Sequence, residues 1–319
     1  MTRRPGHTPR RPTVAALRSM AIITATVVTW AALPAPLSAQ ATTLNTAHGL
    51  WGIGNANTSA HWSSLIKAMQ APFAAVGSYH PLSGSTIPNW IDREAASTHA
   101  LLYLNINSWR VVNGAKVCYP WWKVAAGLQD RQLGTLVRQL KGFHYSRIVL
   151  SFHHEPNVNV RNEPSCGTPR AYGQAFAHVV TYFRAHGIRY PWVWTMTASA
   201  FSTGKATAYR PPLGDISFVG TDGYNMNRGG VWRSPQVVFG AAIKYAAAIG
   251  RPLFVGEIGC VERPGNPAAK AQWITTAAQM LAASGVTALL WDDQIEYTPF
   301  TSPQAEAAWV AASRLPYYQ

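Results

Sequence analysis

The chain has 319 residues and a formal net charge of +14, with only 13 Asp and Glu. A basic exported protein could bind acidic cell-wall polymers. However, the sequence shows no dense Lys/Arg run and no nucleic-acid-binding motif, which argues against a nucleic-acid partner and favours a solvated basic surface.

Residues 1–39 are predicted to be a cleaved secretory signal. The segment "MTRRPGHTPRR" has several arginines and no acid, and an apolar stretch, Val14–Leu33, follows it. The small residues of "PAPLSAQA" suit cleavage after Ala39 or Ala41. A membrane anchor is the rival interpretation, but the uninterrupted run Met20–Leu33 is short for a bilayer span. We therefore expect a secreted protein without stable membrane association, by either the Sec or the twin-arginine route.

Eight short apolar runs follow in residues 40–319, and several are nearly continuous in Val, Leu, Ile and Phe. Continuous apolar runs are typical of parallel strands that are buried on both faces. The predicted strands are His48–Gly54, Phe73–His80, His99–Asn107, Arg147–Glu155, Tyr190–Ser199, Asp215–Asn225, Arg251–Gly259 and Thr287–Gln294.

Helical patterns separate most of these strands. One opens at Ser234 with Pro235 in its first turn and stops at Gly250, which is standard helix punctuation. Three more are predicted over Trp122–Lys141, Tyr172–Phe183 and Ala268–Ser284. Only the connection "FSTGKATAYRPPLG" lacks a helical pattern. Alternation of eight strands with helices, in a length suited to one barrel, predicts a single α/β domain with a (β/α)8 fold.

The acidic residues are concentrated where such a barrel would carry its chemistry. Five of the 13 acids lie at the C-terminal ends of predicted strands: Glu155, Asp222, Glu257, Asp292 and Asp293. Active sites of these barrels lie at that end, and carboxylates beside apolar strands are costly unless they are paired or hydrogen-bonded. Glu155 and Glu257 would face each other from strands four and seven. Two carboxyl groups about 5–5.5 Å apart are what retaining glycoside hydrolysis requires.

Three short motifs carry a resemblance to a known family. "FHHEPN" on strand four and "FVGEIG" on strand seven, with "DGYN" on strand six between them, resemble the (β/α)8 clan of retaining β-glycosidases. A His before the strand-four Glu and an Asn two residues after it are most similar to glycoside hydrolase family 26. That family consists mainly of endo-β-1,4-mannanases, with some β-glucanases and xylanases.

The resemblance implies a role for each matching position. Glu155 would be the general acid/base and Glu257 the nucleophile. His154 would help to hold the sugar in the −1 subsite, and Asn157 would also bind substrate. Tyr224 matches the tyrosine that hydrogen-bonds the nucleophile in the family. The resemblance implies no organic cofactor and no metal.

Tryptophans provide candidate sugar platforms, because an indole offers a flat apolar face and a polar edge. The chain has 13 tryptophans, most of which should lie in the core. Trp291 lies where a strand-eight tryptophan often floors the −1 subsite in the family. Trp109 and Trp232 fall in loops after strands three and six and are further candidates, with plain packing an equal alternative for both.

Other polar residues near the motif have competing interpretations. His153 is equally compatible with the core and with the site. The order of His153, His154 and Glu155 is not the H-E-x-x-H arrangement, and adjacent strand residues diverge, so a metal site is not predicted. For Asp222 we expect a structural role in fixing the loop of Tyr224. Asp292 and Asp293 could cap the barrel rim or contact sugar hydroxyls.

The three cysteines are Cys118, Cys166 and Cys260. An oxidising compartment predicts one disulfide and one remaining thiol, but spacing alone cannot choose the pair. In the barrel, Cys118 and Cys166 follow neighbouring strands, so we predict a bridge between them that pins the acid/base loop. Cys260 would then be a buried thiol.

Taken together, the residues and the family resemblance favour a secreted, monomeric endo-β-glycosidase that cleaves a polysaccharide by double displacement, and the resemblance implies β-1,4-mannan as the leading substrate. A β-glucanase, a xylanase or a cell-wall glycan hydrolase of the same clan is the enzymatic alternative. A carbohydrate-binding barrel without turnover is the non-enzymatic one.

Overall fold

The computed structural model describes residues 47–55, 59–158 and 166–319, so the predicted signal at residues 1–39 lies outside the described residues. The strands are β1 (Leu50–Gly54), β2 (Ala75–Pro81), β3 (Leu101–Asn107), β4 (Trp109–Val112), β5 (Ala115–Cys118), β6 (Ile148–Phe152), β7 (Trp192–Thr197), β8 (Phe218–Asn225), β9 (Leu253–Cys260) and β10 (Ala288–Asp292). Eight of them close a parallel barrel in the order β1-β10-β9-β8-β7-β6-β3-β2. The predicted (β/α)8 fold is confirmed.

Helices alternate with the barrel strands. They are α1 (Ser59–Met69), α2 (Trp90–Ser97), α3 (Trp121–Ala125), α4 (Asp130–Phe143), α5 (Pro169–Ala185), α6 (Ala198–Ser202), α7 (Pro235–Ala248), α8 (Ala268–Ala283) and α9 (Pro303–Ser313). Each of α5, α7 and α9 begins at a proline after a Thr or Ser whose side chain accepts a backbone N–H of the first turn. Within the described ranges, every helix is too short or too polar to cross a bilayer.

One predicted helix is divided, and the connection without a helical pattern contains short helical turns. The helix expected over Trp122–Lys141 is split into α3 and α4 because Gly127 between them adopts a φ of 76°, which a helix cannot contain. The segment without a helical pattern begins with the last residues of α6 and continues in 3-10 turns over Ala206–Tyr209 and Leu213–Asp215. Neither difference changes the order of the strands.

Side chains alternate between the inside and the outside of the barrel, as the pleat of a strand requires. The inner cluster contains Ala75, Leu101, Tyr103, Val149, Val193, Phe218, Phe254, Ala288 and Leu290. Tyr103 and Phe254 meet across the barrel with ring centroids 4.8 Å apart. Above this layer the interior becomes polar, since the Tyr103 hydroxyl lies 2.6 Å from Oγ1 of Thr195. The apolar inner cluster therefore lies beneath a polar layer near the C-terminal ends of the strands.

A hairpin that the sequence analysis did not predict stands at this end of the barrel. Strands β4 and β5 pair antiparallel directly after β3. Their turn is Asn113-Gly114, both with positive φ (51° and 80°), which is the preferred sequence for a two-residue hairpin turn. The hairpin is exposed along most of its length and stands over the C-terminal ends of the strands.

The predicted disulfide is confirmed. Cys118, at the end of the hairpin, is bonded to Cys166, which precedes α5, with 5.2 Å between their Cα atoms. Cys260 is a buried free thiol, as expected. The bridge ties the hairpin after β3 to the segment that follows β6.

Replacing both bridged cysteines by serine is expected to lower the free energy of unfolding by about 4 kcal/mol, because the bridge closes a loop with a sequence separation of 48 residues. Denaturant titration of the oxidised protein and the Cys118→Ser/Cys166→Ser variant measures the difference. Alkylation of the unfolded chain should label one thiol before reduction and three after it. Three labelled thiols before reduction would contradict the bridge. A Cys260→Ser variant should have no labelled thiol before reduction.

Candidate active site

The backbone changes direction at the end of β6. The predicted strand through Glu155 ends at Phe152, and His153 and Glu155 both adopt positive φ (47° and 52°). Non-glycine residues in this region are uncommon and tend to occur at functional sites. The backbone N–H of Glu155 donates to the carbonyl of Thr195 at 3.1 Å, which holds the turn against β7.

His153 belongs to the core. Its Nδ1 accepts the backbone N–H of Ser108 at 3.1 Å and lies 2.6 Å from the Ser108 hydroxyl. The indole N–H of Trp121 donates to that same hydroxyl at 2.9 Å. Complete burial, together with the neighbouring His154, lowers the pKa of His153 to about 3. His153 is therefore a neutral structural residue that joins the loop carrying Glu155 to the hairpin side of the barrel.

A β-bulge in β9 directs Glu257 into the barrel mouth. Thr221 pairs with Val255, whereas the next residue, Asp222, pairs with Glu257, so Gly256 is the extra residue. A Cβ at position 256 would lie 2.8 Å from Oδ1 of Asp222, so only glycine fits without displacing it. Bulges of this kind re-aim side chains and are common beside active sites.

Three donors point at the carboxylate of Glu257, whose side chain is 7% exposed. The Tyr79 hydroxyl and Nδ2 of Asn55 (3.1 Å) donate to Oε1, and the Tyr224 hydroxyl donates to Oε2. The contact with Tyr224 is the one that the resemblance implies. Tyr79 and Asn55 were not predicted. The alternation Ala75, Gly77, Tyr79 along β2 is a signal that could have placed Tyr79 inside the barrel.

Two further acids lie next to Glu257. Oδ2 of Asp292 lies 2.9 Å from the oxygen of the Tyr224 hydroxyl, and Oδ1 accepts from Nδ2 of Asn55 at 3.3 Å. Burial and then the charge of Glu257 raise the pKa of Asp292 to about 7. The same two causes raise the pKa of the deeply buried Asp222 well above its usual range. Burial and the neighbouring negative charges therefore both favour the protonated form of Asp222.

Glu155 is half-buried at the same mouth. Desolvation, followed by the negative charges of Glu257 and Asp292, raises its pKa to about 8. A carboxyl with this pKa is mostly protonated at neutral pH, which suits a proton donor. The site therefore contains one protonated glutamic acid beside a second glutamate that three donors hold as an acceptor.

His154 and Asn157 surround Glu155. Nδ1 of His154 donates to Oδ1 of Asn107 at 3.3 Å, and its Nε2 lies 3.8 Å from Oε1 of Glu257. The side-chain amide of Asn157 makes two hydrogen bonds with Thr197. Its Nδ2 donates to Oγ1 at 2.7 Å, and its Oδ1 accepts from the backbone N–H at 3.3 Å. His154 is therefore in the mouth, whereas Asn157 ties the loop carrying Glu155 to the end of β7.

Trp291 is not at the open mouth. It is 1% exposed within the outer core, because alternation along β10 turns Asp292 inward and Trp291 outward. Its indole N–H donates to the carbonyl of Tyr297 at 2.9 Å, and the Tyr297 ring stacks on Tyr224 at 4.7 Å. The predicted floor of the −1 subsite thus supports the site from behind and offers no exposed face for a sugar ring.

The loop that carries Tyr297 has a second anchor. The buried ammonium of Lys270 donates to the carbonyl of Thr298 and to the hydroxyl of Thr301, both at 2.8 Å. This loop is therefore in contact with Trp291 on β10, Lys270 on α8 and Tyr224 on β8. The ring of Tyr297 limits the movement of Tyr224, and so of the hydroxyl that meets Glu257.

Trp109 and Trp232 are half-buried in loops on two sides of the mouth. Trp109 begins the hairpin after β3, and Trp232 follows β8. A cation lies over each indole, with Nζ of Lys116 4.6 Å from the Trp109 ring and Cζ of Arg263 5.6 Å from the Trp232 ring. Both tryptophans follow the C-terminal ends of barrel strands, and Trp232 also packs against the hydrophobic core.

Among the residues that the structure describes, one group of side chains has atoms close enough to hold a cation. Potential ligand atoms of His154, Asp222 and Glu257 all lie within 4.8 Å of one another. However, the donor hydrogens of Tyr79 and Tyr224 point at the Glu257 oxygens, and such hydrogens repel a cation. The arrangement fits a hydrogen-bonded carboxylate better than a metal ligand.

Sequence comparison gives one informative relative. No protein-family model matches the chain. Endoglucanase H of Acetivibrio thermocellus is 27% identical over 221 residues, which cover 62% of this chain and 24% of the relative. The chain thus spans about a quarter of the length of this curated relative.

Solved structures share the fold at low sequence identity. A family GH26 β-mannanase from Bacteroides ovatus has a TM-score of 0.64 and 13% identity, with 86% of this chain and 92% of that chain covered. A modular endo-β-1,4-mannanase from Cellulomonas fimi has a TM-score of 0.62 and 14% identity, with 85% and 72% covered. The similarity to glycoside hydrolase family 26 that the motifs indicate is thus confirmed at the level of the fold, and the chain has the (β/α)8 architecture of these glycoside hydrolases.

Proposed function

We propose that the protein is a secreted retaining endo-β-glycosidase that hydrolyses a β-linked polysaccharide by double displacement, with β-1,4-mannan as the leading substrate. The observation that carries the proposal is the pair at the barrel mouth, a Glu155 whose pKa is raised to about 8 and a Glu257 that accepts three hydrogen bonds. This is the division of roles that a retaining glycosidase needs.

In the first step, Glu155 transfers its proton to the glycosidic oxygen as the bond from that oxygen to the anomeric carbon breaks. A carboxylate oxygen of Glu257 attacks the anomeric carbon from the opposite face and forms a glycosyl ester. The protonated aglycone departs as an alcohol, and Glu155 is left ionised. The negative charge that Glu257 gives up to the ester therefore reappears on Glu155.

In the second step, ionised Glu155 takes a proton from a water molecule as that water attacks the anomeric carbon. The ester bond to Glu257 breaks, and the glutamate leaves as a carboxylate. Two inversions give a product with the original β configuration. Both glutamates return to their starting protonation states, so the cycle needs no other reactant.

The neighbours of Glu257 fit this sequence of events. Tyr79 and Asn55 donate to Oε1, while the Tyr224 hydroxyl donates to Oε2 and lies 2.9 Å from Oδ2 of Asp292. These bonds fix the carboxylate plane before the substrate arrives, which is the preorganisation that positions a nucleophile. His154, 3.8 Å from the same carboxylate, is placed to contact the sugar that Glu257 attacks.

A panel of soluble β-glycans tests the proposal. Release of new reducing ends, with products of several lengths early in the reaction, would support endo-hydrolysis. Proton NMR of the first product should show the β anomer. An initial α anomer would refute double displacement, and no release from any glycan would favour the binding-barrel alternative.

The endoglucanase relative favours one second candidate. Its printed name supports including β-1,4-glucan beside β-1,4-mannan in the panel. The two substrates differ at the C2 hydroxyl, which in this site would face the residues around Glu257. Comparing kcat/KM for the two polymers at equal chain length decides between them.

Tyr79→Phe is expected to lower kcat by about 10- to 100-fold, because hydrogen bonds to charged groups contribute about 1.5–3 kcal/mol. The change removes one donor to Glu257 and keeps the ring that packs on His154 at 5.0 Å. Steady-state kinetics on the best glycan measure the effect.

Tyr190→Phe is the matched control, because that hydroxyl donates to the Tyr145 carbonyl near the beginning of β6, away from the mouth. It should leave kcat unchanged. Equal losses in the two variants would mean that Tyr79 acts through stability alone.

A further inference from the structure

Two pairs, each made of an indole and a cation, flank the proposed catalytic glutamates. In the first, Nζ of Lys116 lies 4.6 Å from the Trp109 ring, on the hairpin after β3. In the second, the guanidinium of Arg263, after β9, lies 5.6 Å from the Trp232 ring, after β8. We refer to them as the hairpin pair and the β8 pair.

The two pairs lie on different sides of the line that joins the catalytic residues. Around the barrel, β3 is next to β6, which leads to Glu155, and β8 is next to β9, which carries Glu257. The path from β6 to β9 through β7 contains β8, whereas the path through β2 contains β3. A glycan chain that passes between the two glutamates therefore runs towards one pair on each side.

The loops that carry the two indoles have positive charges and no acids. Residues 108–120 contain Arg110 and Lys116, and residues 226–233 contain Arg228 and Arg233. The charges also reach the mouth, since Lys116 contributes to lowering the pKa of His154 and Arg228 opposes the rise in the pKa of Tyr297. Glu262, next to Arg263, accepts from the hydroxyls of Thr301 and Ser302, so its carboxylate is bonded to the segment at the start of α9. The loops that carry the indoles are therefore positive, in contrast to the acidic cluster at the strand ends.

Neutral sugars do not call for this arrangement. A neutral pyranose ring uses only the apolar surface of an indole, so a cation beside that surface adds no charge interaction to its binding. An acidic sugar can use both groups, because its ring packs on the apolar surface while its anion meets the ammonium or guanidinium. Exposed cations also attract a negatively charged polymer from a distance.

We propose that the substrate is a β-linked glycan that carries anionic groups, which the hairpin pair and the β8 pair bind on the two sides of the cleavage point. The inference rests on the proposed function and concerns the charge of the chain, so the backbone remains mannan or glucan as tested above. The recognising chemistry is that of a carboxylate or a sulfate ester on a sugar ring.

Matched polymers test the inference. β-1,4-Mannan and β-1,4-glucan are each used intact, oxidised at C6 to the carboxylate, and sulfated at C6. The wild-type kcat/KM is expected to be about fivefold or more higher on an anionic form than on its neutral parent, since one exposed ion pair contributes up to about 1 kcal/mol. The advantage should vanish at about 1 M salt, where the Debye length is about 3 Å.

Variants assign the effect to the two pairs. Lys116→Met and Arg263→Met should each lower the anionic-to-neutral ratio of kcat/KM by about threefold to fivefold. Lys244→Met, on α7, and Arg131→Met, on α4, remove the same charges from exposed positions on the outer helices and should keep the ratio. A faster reaction with only the oxidised polymer identifies a uronate, and one with both modified polymers identifies any anion.

The possible failures are distinguishable. Equal kcat/KM for neutral and anionic polymers would overturn this inference and leave the proposed function standing. No turnover of any polymer would overturn the proposed function. Calorimetry with oxidised and neutral oligosaccharides would then decide the inference on its own, and equal affinities would overturn it.

Discussion

Glu257→Ala is expected to lower kcat by on the order of 10⁴-fold or more, because loss of a nucleophile costs other hydrolases up to about 10⁶-fold. The variant keeps Glu155 but removes the atom that attacks the anomeric carbon. It also leaves a space lined by the Tyr79 and Tyr224 hydroxyls and by Asn55. The measurement is the release of an activated phenol from an aryl β-glycoside.

Azide distinguishes a lost nucleophile from a damaged fold. The anion is small enough to occupy the vacated space, where the same donors would hold it. Its single displacement should restore part of the turnover and give a glycosyl azide of inverted α configuration. Glu257→Gln is the matched control, since its amide fills the space and should block rescue. Full activity of Glu257→Ala would remove this residue from the nucleophile role.

The fold could be predicted largely because the sequence patterns of buried parallel strands and of helix ends are local. Continuous apolar runs and helix punctuation such as Ser234-Pro235 are visible without knowing any distant contact. The hairpin β4–β5 was missed although Asn113-Gly114 is a recognisable turn signal, because its strands have four residues each and an exposed face. Short polar strands show little periodicity.

The candidate site could be predicted only in part, because the direction of each side chain depends on which residues of a strand face the inside of the barrel. Glu155 and Glu257 could be placed at strand ends, and the structure brings them to one mouth. The bulge at Gly256 and the positive φ of Glu155 set the final directions of these side chains, and neither can be read from residue types. Trp291 was predicted at the correct end of its strand, but its side chain lies on the outer face of the barrel and not on the inner one.

The neighbours of Glu257 show the same limitation. Tyr79 and Asn55 come from β2 and the end of β1, about 180 and 200 positions before Glu257 in sequence. No spacing rule links residues that far apart. Barrel closure brings them together, because β1, β2 and β9 surround one barrel axis and direct these side chains towards it. Long-range convergence, rather than local pattern, therefore completes the nucleophile's surroundings.

Glu155→Ala is expected to lower kcat/KM by about 10²- to 10⁴-fold on polysaccharide, the usual contribution of general acid–base catalysis. The loss should be much smaller for the glycosylation step with a dinitrophenyl β-glycoside, because that leaving group departs without a proton. Glu306→Gln on α9 is a control for the loss of a carboxylate on the outer helices. Equal losses for good and poor leaving groups would remove Glu155 from the acid role.

The pH dependence offers an independent test of the same residue. Because burial and the charges of Glu257 and Asp292 raise the pKa of Glu155 to about 8, its protonated form predominates below that pH. Wild-type kcat/KM on polysaccharide should therefore fall as pH rises through about 8. Asp292→Asn removes one of the two raising charges, so the basic limb should move to lower pH, whereas a limb that stayed in place would mean that another group controls it. The direction of that shift separates an electrostatic cause from a general loss of stability, which would lower activity at every pH without moving the limb.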